Sequence, residues 1–190
     1  MGSLLALSRW IDFINEKIGK AVSWLILVSI LVSAGNAIVR KLFDKSSNSM
    51  LELQWYLFGA AFLGAAAYTL KQNEHIRIDI VYGAFSRRVQ HWIDLLGHIF
   101  FLMPFVILML VKLTPFVMIS LRSGEMSTNS GGLILWPAKM LLLIGFWQLF
   151  AQGLSEIVKK IGVMRGLIDD PHAESAGHHA AETIVDEEAL

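Results

Sequence analysis

The chain of 190 residues contains no cysteine, and only 17% of its side chains are charged. The missing cysteines exclude disulfide bonds, thiolate metal sites and cysteine nucleophiles. The sequence also lacks a phosphate-binding loop, a nucleophile elbow and a pair of acidic residues with catalytic spacing. No enzyme is therefore indicated, and the net charge of zero gives no sign of a nucleic-acid partner.

What the sequence does contain is long apolar runs. A helix rises about 1.5 Å per residue, so about 20 apolar residues cross a hydrocarbon layer of about 30 Å. Lipid offers backbone amides no hydrogen-bond partners, so such spans must be helical. We predict an all-α integral membrane protein whose single membrane domain covers residues 21–168. The four predicted transmembrane helices are 21–39, 50–70, 92–121 and 133–158.

Two further segments have the pattern of amphipathic helices at the membrane surface. In residues 1–20 one face carries Leu4, Leu7, Ile11, Ile14 and Ile18, and the other carries Ser8, Asp12, Asn15 and Glu16. This spacing predicts an interfacial helix anchored by Trp10, and the alternative is an N-terminal extension of the first span. A second, horizontal helix is predicted over about 76–90, before the third span.

The lysines and arginines predict the orientation. With four spans both termini lie on one side, and that side receives ten of the sixteen basic residues. Both termini are therefore expected in the cytoplasm. No short apolar core is followed by a cleavage site, so the first span is expected to be retained. The acidic tail, 169–190, has few large apolar residues and is expected to be disordered.

Local features refine the second and third spans. Small residues stand four apart in the second span, Ala60 with Gly64 and Ala61 with Ala65, which predicts a face on which another helix can pack closely. The residues assigned to this packing face are Gly59, Ala60, Gly64 and Ala65. Pro104 and Pro115 are expected to kink the third span. The loop that follows, 122–132, is polar and glycine-containing, and we expect it to be flexible.

Ionisable residues inside spans are functional candidates. None of those present lies clearly at the centre of the bilayer: Glu52, Asp94, His98, Lys112 and Lys139. A carrier needs polar groups near the midplane, so transport by this chain alone is a minor alternative. His91 and His98 share a helix face, which leaves open a haem-binding or structural membrane anchor of a redox complex. The histidines of the tail are expected to be solvated rather than to bind a metal.

One stretch resembles a known family. Glu52 opens the second span, small residues from Gly59 to Ala66 follow, and the sequence His75-Ile76-Arg77-Ile78-Asp79 comes just after the span. This order is similar to that of the small membrane subunit, the DctQ type, of tripartite ATP-independent periplasmic (TRAP) transporters. The resemblance covers about residues 5–165, and it includes four spans and horizontal helices.

The resemblance implies a small accessory subunit of a sodium-coupled symporter in the bacterial inner membrane. A large multi-span membrane subunit would carry the substrate and sodium sites, and a periplasmic binding protein would deliver an organic acid. The small subunit would pack on the static scaffold of the large one among membrane lipids, help dock the binding protein, and hold no cofactor itself.

The resemblance also assigns site residues. Glu52, His75, Arg77 and Asp79 match the family motif and are interpreted as structural, with Arg40 or a group of the large subunit as the expected partner of Glu52. The small residues Gly59, Ala60, Gly64 and Ala65 would pack on the large subunit. Four residues of the outer surface are candidates for docking the binding protein: Arg40, Arg122, Glu125 and Asn129.

Overall fold

A computed structural model describes residues 2–43, 47–72 and 85–169. These residues form five α-helices: α1 Gly2–Phe43, α2 Asn48–Gln72, α3 Arg87–Gly97, α4 Met103–Ser123 and α5 Trp136–Met164. A single π-helical turn, His98–Leu102, joins α3 to α4. Four helices are long and apolar enough to span a membrane, with α3 and α4 counted as one. The predicted all-α fold with four spans is confirmed.

Helix α5 is the centre of the arrangement, because it packs against every other helix that the structure describes. Helices α1 and α2 pack against each other and both contact α5. The main contacts of α4 are with α5 and with the π-helical turn. We call the end of this bundle that contains Gly2 and Asp169 the terminal end, and the end that contains residues 47–48 and 124–135 the loop end.

The buried apolar core is small. Along α4 the buried residues recur at steps of three and four, which places them on the helix face that packs against α5. They are Met103, Val106, Leu110, Leu113 and Val117. Large apolar side chains such as Phe101, Trp24 and Phe62 point outward and are more than two thirds exposed. The outer surface is therefore suited to lipid or to a membrane partner rather than to water.

Helix α1 differs from the predicted division at residue 20. It continues without a break from Gly2 to Phe43, which agrees with the alternative that the first residues extend span 1. Its amphipathic faces also point the other way from those of a surface helix, since Ser8 and Asn15 are buried while Leu4 and Leu7 are about half exposed. The reason is that the polar face packs against α5.

A π-helical turn lies immediately before Pro104, and the kink predicted there stays a prediction. Proline has no N–H and its ring crowds the carbonyl one turn earlier. Here the N–H of Met103 bonds the carbonyl of His98, five residues back, immediately before Pro104 in the first turn of α4. The wider turn therefore accommodates the proline within a continuous helix. Pro115 lies inside α4.

Two predicted segments fall largely outside the described residues. Of the horizontal helix expected over about 76–90, residues 87–90 belong to α3, which continues to Gly97. Residues 73–84 are not described, and neither are residues 170–190 of the tail. The extent of the horizontal helix and the disorder of the tail stay predictions.

Candidate functional site: polar contacts at the two ends of the bundle

At the loop end one buried carboxylate holds the loop between α4 and α5. Glu52 lies near the start of α2 and is 4% exposed. Its Oε1 accepts hydrogen bonds from the Ser127 hydroxyl and from Asn129 Nδ2, the latter at 2.8 Å. Its Oε2 accepts the backbone N–H of Leu133 at 2.6 Å. A carboxylate with three donors from a single loop fixes the position of that loop.

The backbone of the same loop is also bonded to itself. The N–H of Ser127 donates to the carbonyl of Leu133, and the N–H of Leu135 donates to the carbonyl of Glu125, both at 2.9 Å. Gly132 is required at the turn, since a side chain there would lie within 3 Å of Ser127 and of Glu52. The loop that is predicted to be flexible over 122–132 is thus hydrogen-bonded from Glu125 onward, because Glu52 supplies a buried acceptor.

Two side chains of α2 add further contacts to the loop. Asn48 Nδ2 donates to the carbonyl of Ser130 at 2.8 Å, and the Tyr56 hydroxyl donates to the carbonyl of Ile134 at 3.1 Å. Asn48, Glu52 and Tyr56 stand four apart, so about one side chain per turn of α2 bonds the loop. The loop therefore packs on the first two turns of α2.

An ion pair closes the other side of the loop. Lys139, in the first turn of α5, bonds Glu125 and lies 4.1 Å from the centre of the Phe116 ring. The ammonium group of Lys139 lowers the pKa of the Glu125 carboxyl below its ordinary value. The pair joins the loop to α5, and the ring of α4 provides a cation–π contact.

At the terminal end a buried network joins α1 to α5. Gln152 is fully buried, and its Oε1 accepts Asn15 Nδ2 at 2.8 Å. Its Nε2 donates to Asp12 Oδ1 and to Glu156 Oε1, both at 2.8 Å. Both ends of the Gln152 amide are therefore used. One turn closer to the terminus, the hydroxyls of Ser8 and Ser155 bond each other at 2.6 Å.

Lys159 neutralises part of the charge in this network. Its Nζ lies 2.9 Å from Asp12 Oδ2 and 2.5 Å from Glu156 Oε1. The three charged side chains are each no more than 15% exposed. Buried carboxylates are costly unless they are paired and hydrogen-bonded, and here both conditions hold. The group therefore acts as a clasp between α1 and α5.

Two more ion pairs extend the polar layer to the remaining helices. Glu16 of α1 pairs with Lys71 at the end of α2 at 2.6 Å. Lys160 of α5 pairs with Asp94 of α3 at 2.7 Å, with both side chains nearly buried. The terminal end thus links α2, α1, α5 and α3 in sequence. Among the residues described, no group of three His, Asp or Glu side chains has the arrangement of a metal site.

The four residues predicted to dock the binding protein fall into two groups in the structure. Arg40 and Arg122 are exposed at the loop end. The side chains of Glu125 and Asn129 are exposed in part, but they bond Lys139 and Glu52 within the chain. Glu52 in turn bonds the loop and not Arg40, because the loop folds back over the start of α2.

The four small residues of the predicted packing face of α2 also have different surroundings in the structure. A side chain at Gly64 would lie 3.0 Å from Val22, so this glycine serves the contact between α1 and α2 inside the chain. Gly59 has open space around its Cα position, and Ala60 and Ala65 are partly exposed. Gly64 therefore contributes to the contact with α1, and the packing of all four residues on the large subunit stays a prediction. His75, Arg77 and Asp79 lie outside the described residues.

Sequence reasoning missed the clasp at the terminal end. The amphipathic pattern places Asp12 and Asn15 on the polar face of a surface helix, and it does not single out Gln152. A signal was present, because Gln152, Ser155, Glu156 and Lys159 recur at steps of three, one and three along an otherwise apolar helix. Such a polar stripe indicates a helix partner rather than lipid.

The histidines do not support the haem-binding alternative. In the described part of the chain, His91 and His98 both lie on the continuous helix formed by α3 and the π turn. His98 Nδ1 lies 2.6 Å from the carbonyl of Asp94, one turn earlier. A haem held between two helices needs a histidine on a facing helix.

Comparison with known proteins gives one result. Residues 29–162 match a family model described as "Tripartite ATP-independent periplasmic transporters, DctQ component". The matched region includes α2, α3, α4, nearly all of α5 and the whole loop that Glu52 holds. It leaves out the α1 half of the clasp. No match was found among curated proteins or among solved structures.

Proposed function

Because the chain belongs to the DctQ component family of the tripartite ATP-independent periplasmic transporters, we propose that it is the small scaffold subunit of such a transporter. In this role it packs on the static part of a large membrane subunit and presents the loop end to a periplasmic binding protein. The large subunit carries the organic acid and the sodium ions. The loop end then faces the periplasm, and both termini lie in the cytoplasm.

The observation that supports this proposal is that the paired charges lie at the two ends of the bundle and not in its middle. In the described chain, the charged side chains that are paired gather at the two ends, and the middle is packed by residues such as Ala61, Ala67 and Val106. A carrier holds its polar site near the midplane. A bundle whose paired charges lie at its two ends, and whose middle is mainly apolar apart from the uncharged Gln148, fits a scaffold, and family membership supplies the transporter.

The test is co-expression with a tagged large subunit of the same transporter. We expect a stoichiometric complex in detergent, and sodium-driven uptake of an organic acid in liposomes only when both subunits and the binding protein are present. The proposal would be contradicted if the chain purified alone as a single stable species with no affinity for the large subunit.

The packing face can be located with glycines that have open space around them. Gly59→Leu is expected to reduce the yield of the complex at least tenfold without lowering the thermal stability of the isolated chain. Gly35→Leu is the matched control, because its surroundings on α1 are equally open. Equal loss with both variants would point to poor membrane insertion and remove Gly59 from the interface.

Docking at the loop end is tested on its exposed arginines. Arg122→Glu reverses one charge beside the fixed loop, so the binding protein should be needed at a higher concentration for half-maximal uptake, while the complex of the two membrane subunits is retained. Arg165→Glu controls for a charge reversal at an exposed position of the terminal end, away from the binding protein. An unchanged concentration dependence for Arg122→Glu would contradict docking at this position.

A further inference from the structure

A groove runs between α1 and α5 on the outer surface of the bundle. It encloses about 300 Å³ and is lined mainly by apolar side chains, among them Trp10, Ile14, Trp147 and Ala151. Trp10 is 62% exposed and Trp147 is 54% exposed, so both rings border the groove without being covered. Apolar walls of this kind are common on a membrane protein and alone would indicate only lipid.

One residue of the lining sets this groove apart. Gln148 lies near the middle of α5, and its Oε1 is buried with no hydrogen-bond partner in the described part of the chain. Its neighbour one turn on, Gln152, bonds three different side chains of α1 and α5. An amide at this depth without a partner is costly, because the hydrocarbon layer supplies none.

The lack of a hydrogen-bond partner for Gln148 Oε1 among the described residues helps to decide what fills the groove. An acyl chain fills an apolar groove but has no group that can bond an amide. A transmembrane helix with one Ser, Thr, Asn or Gln side chain fills the same space and, once the Gln148 side chain turns outward, supplies the hydrogen-bond donor that its covered Oε1 lacks. A second copy of this chain fits poorly, since a two-fold contact would set the same concave groove against itself.

We propose that this groove receives a transmembrane helix of the large subunit, and that a polar side chain of that helix bonds Gln148. The inference rests on the proposed function and adds the place of contact. Trp10 and Trp147 then pack on the two sides of the incoming helix. The clasp of Asp12, Gln152 and Lys159 holds α1 and α5 at the spacing that keeps the groove open.

The first variant to test is Gln148→Leu in the otherwise unchanged full chain. It keeps the size of the side chain and removes no hydrogen bond within the described residues, so the isolated chain should be at least as stable as the natural one. Binding to the large subunit should weaken about threefold or more, as expected for one hydrogen bond between helices in a membrane. Unweakened binding would overturn the proposal.

Single cysteines give an independent readout, because the chain has none of its own. Ala151→Cys places a thiol in the groove, and Ala37→Cys places one at an exposed position of α1 outside it. With a lipid-soluble maleimide, labelling of Ala151→Cys should slow at least tenfold when the large subunit is bound. The control should be labelled at a similar rate with and without that subunit.

The outcomes separate this inference from the proposed function. If the natural chain binds no large subunit, the proposed function fails. If it binds, but Ala151→Cys is labelled equally fast in the complex, the groove contains lipid and the inference alone is wrong. Disulfide-linked pairs of Ala151→Cys chains in the bilayer would show that a second copy occupies the groove, and this would also overturn it.

Discussion

At the loop end a single carboxylate, Glu52, takes neutral donors from one loop, whereas at the terminal end Asp12 and Glu156 share Lys159 across two helices. The first arrangement positions a connection, and the second fastens α1 to α5. Loss of the first should therefore disturb one loop, while loss of the second should weaken the whole bundle. Similar buried carboxylates thus order a single loop or stabilise the whole bundle, depending on which segments their hydrogen bonds and ion pairs connect.

The largest expected effect comes from removing the shared lysine. Lys159→Met leaves two buried carboxylates facing each other, and breaking a buried pair in this way costs about 3 kcal/mol or more. Lys139→Met is the matched control at the loop end, where the partner Glu125 is 42% exposed. Thermal unfolding followed by tryptophan fluorescence should show a large decrease for Lys159→Met only. Equal decreases in the unfolding temperature of the two variants would show that both lysines stabilise the bundle to the same extent.

A slightly smaller loss is expected for Gln152→Leu. The substitution leaves Asn15 without its acceptor and removes a donor from two carboxylates, which predicts a loss of about 2–3 kcal/mol. Gln148→Leu is the internal comparison, since the same change four residues away breaks no bond in the described chain. The measurement is again thermal unfolding of the two isolated variants. A Gln152 variant as stable as the Gln148 variant would mean that the network adds nothing to stability.

Glu52→Gln should act on the loop alone. The amide group turns one of its acceptor oxygens into a donor, so either the N–H of Leu133 or the donors of Ser127 and Asn129 lose their partner. Hydrogen exchange of the amides in residues 125–135 should speed up at least tenfold, while the unfolding temperature of the bundle changes little. Unchanged exchange in the loop would show that its own backbone bonds are sufficient.

The smallest effect concerns pH at the loop end. Lys139 lowers the pKa of Glu125 from its ordinary value of 4.5, so the pair contributes fully above that pH. Its contribution is lost only as the pH falls through the lowered pKa of the folded protein. Titration of the Glu125 carboxyl by NMR should give a midpoint below 4.5, and Lys139→Met should move it back upward. A natural midpoint at or above 4.5 would contradict the pairing.

The sequence was sufficient for the number and type of the elements. Apolar runs of about 20 residues predicted the four spans, and Pro104, singled out in the third span, lies directly after the π-helical turn. The motif that begins at Glu52 led to the family that the matching model confirms. These features are local, because helix formation in lipid depends on the composition of each segment.

The partners of the polar side chains could not be predicted in the same way. Glu52 and Asn129 stand 77 positions apart, and Asn15 and Gln152 stand 137 apart. The spacing within one helix tells which residues share a face, but not which other helix that face meets. Residues 1–20 show the consequence, since their polar side was assigned to water and instead lies against α5.

The sequence by itself determined that this chain is a four-span helical membrane protein of the DctQ family, because hydrocarbon selects long apolar helices whatever their neighbours are. Only the tertiary structure decided how the polar residues within those helices are used. It joined Glu52 to the loop, closed the clasp around Gln152 and left Oε1 of Gln148, beside an open groove, without a partner among the described residues. Hydrogen bonds and ion pairs act over a few ångströms, so they follow the packing of distant segments and cannot be read from one segment alone.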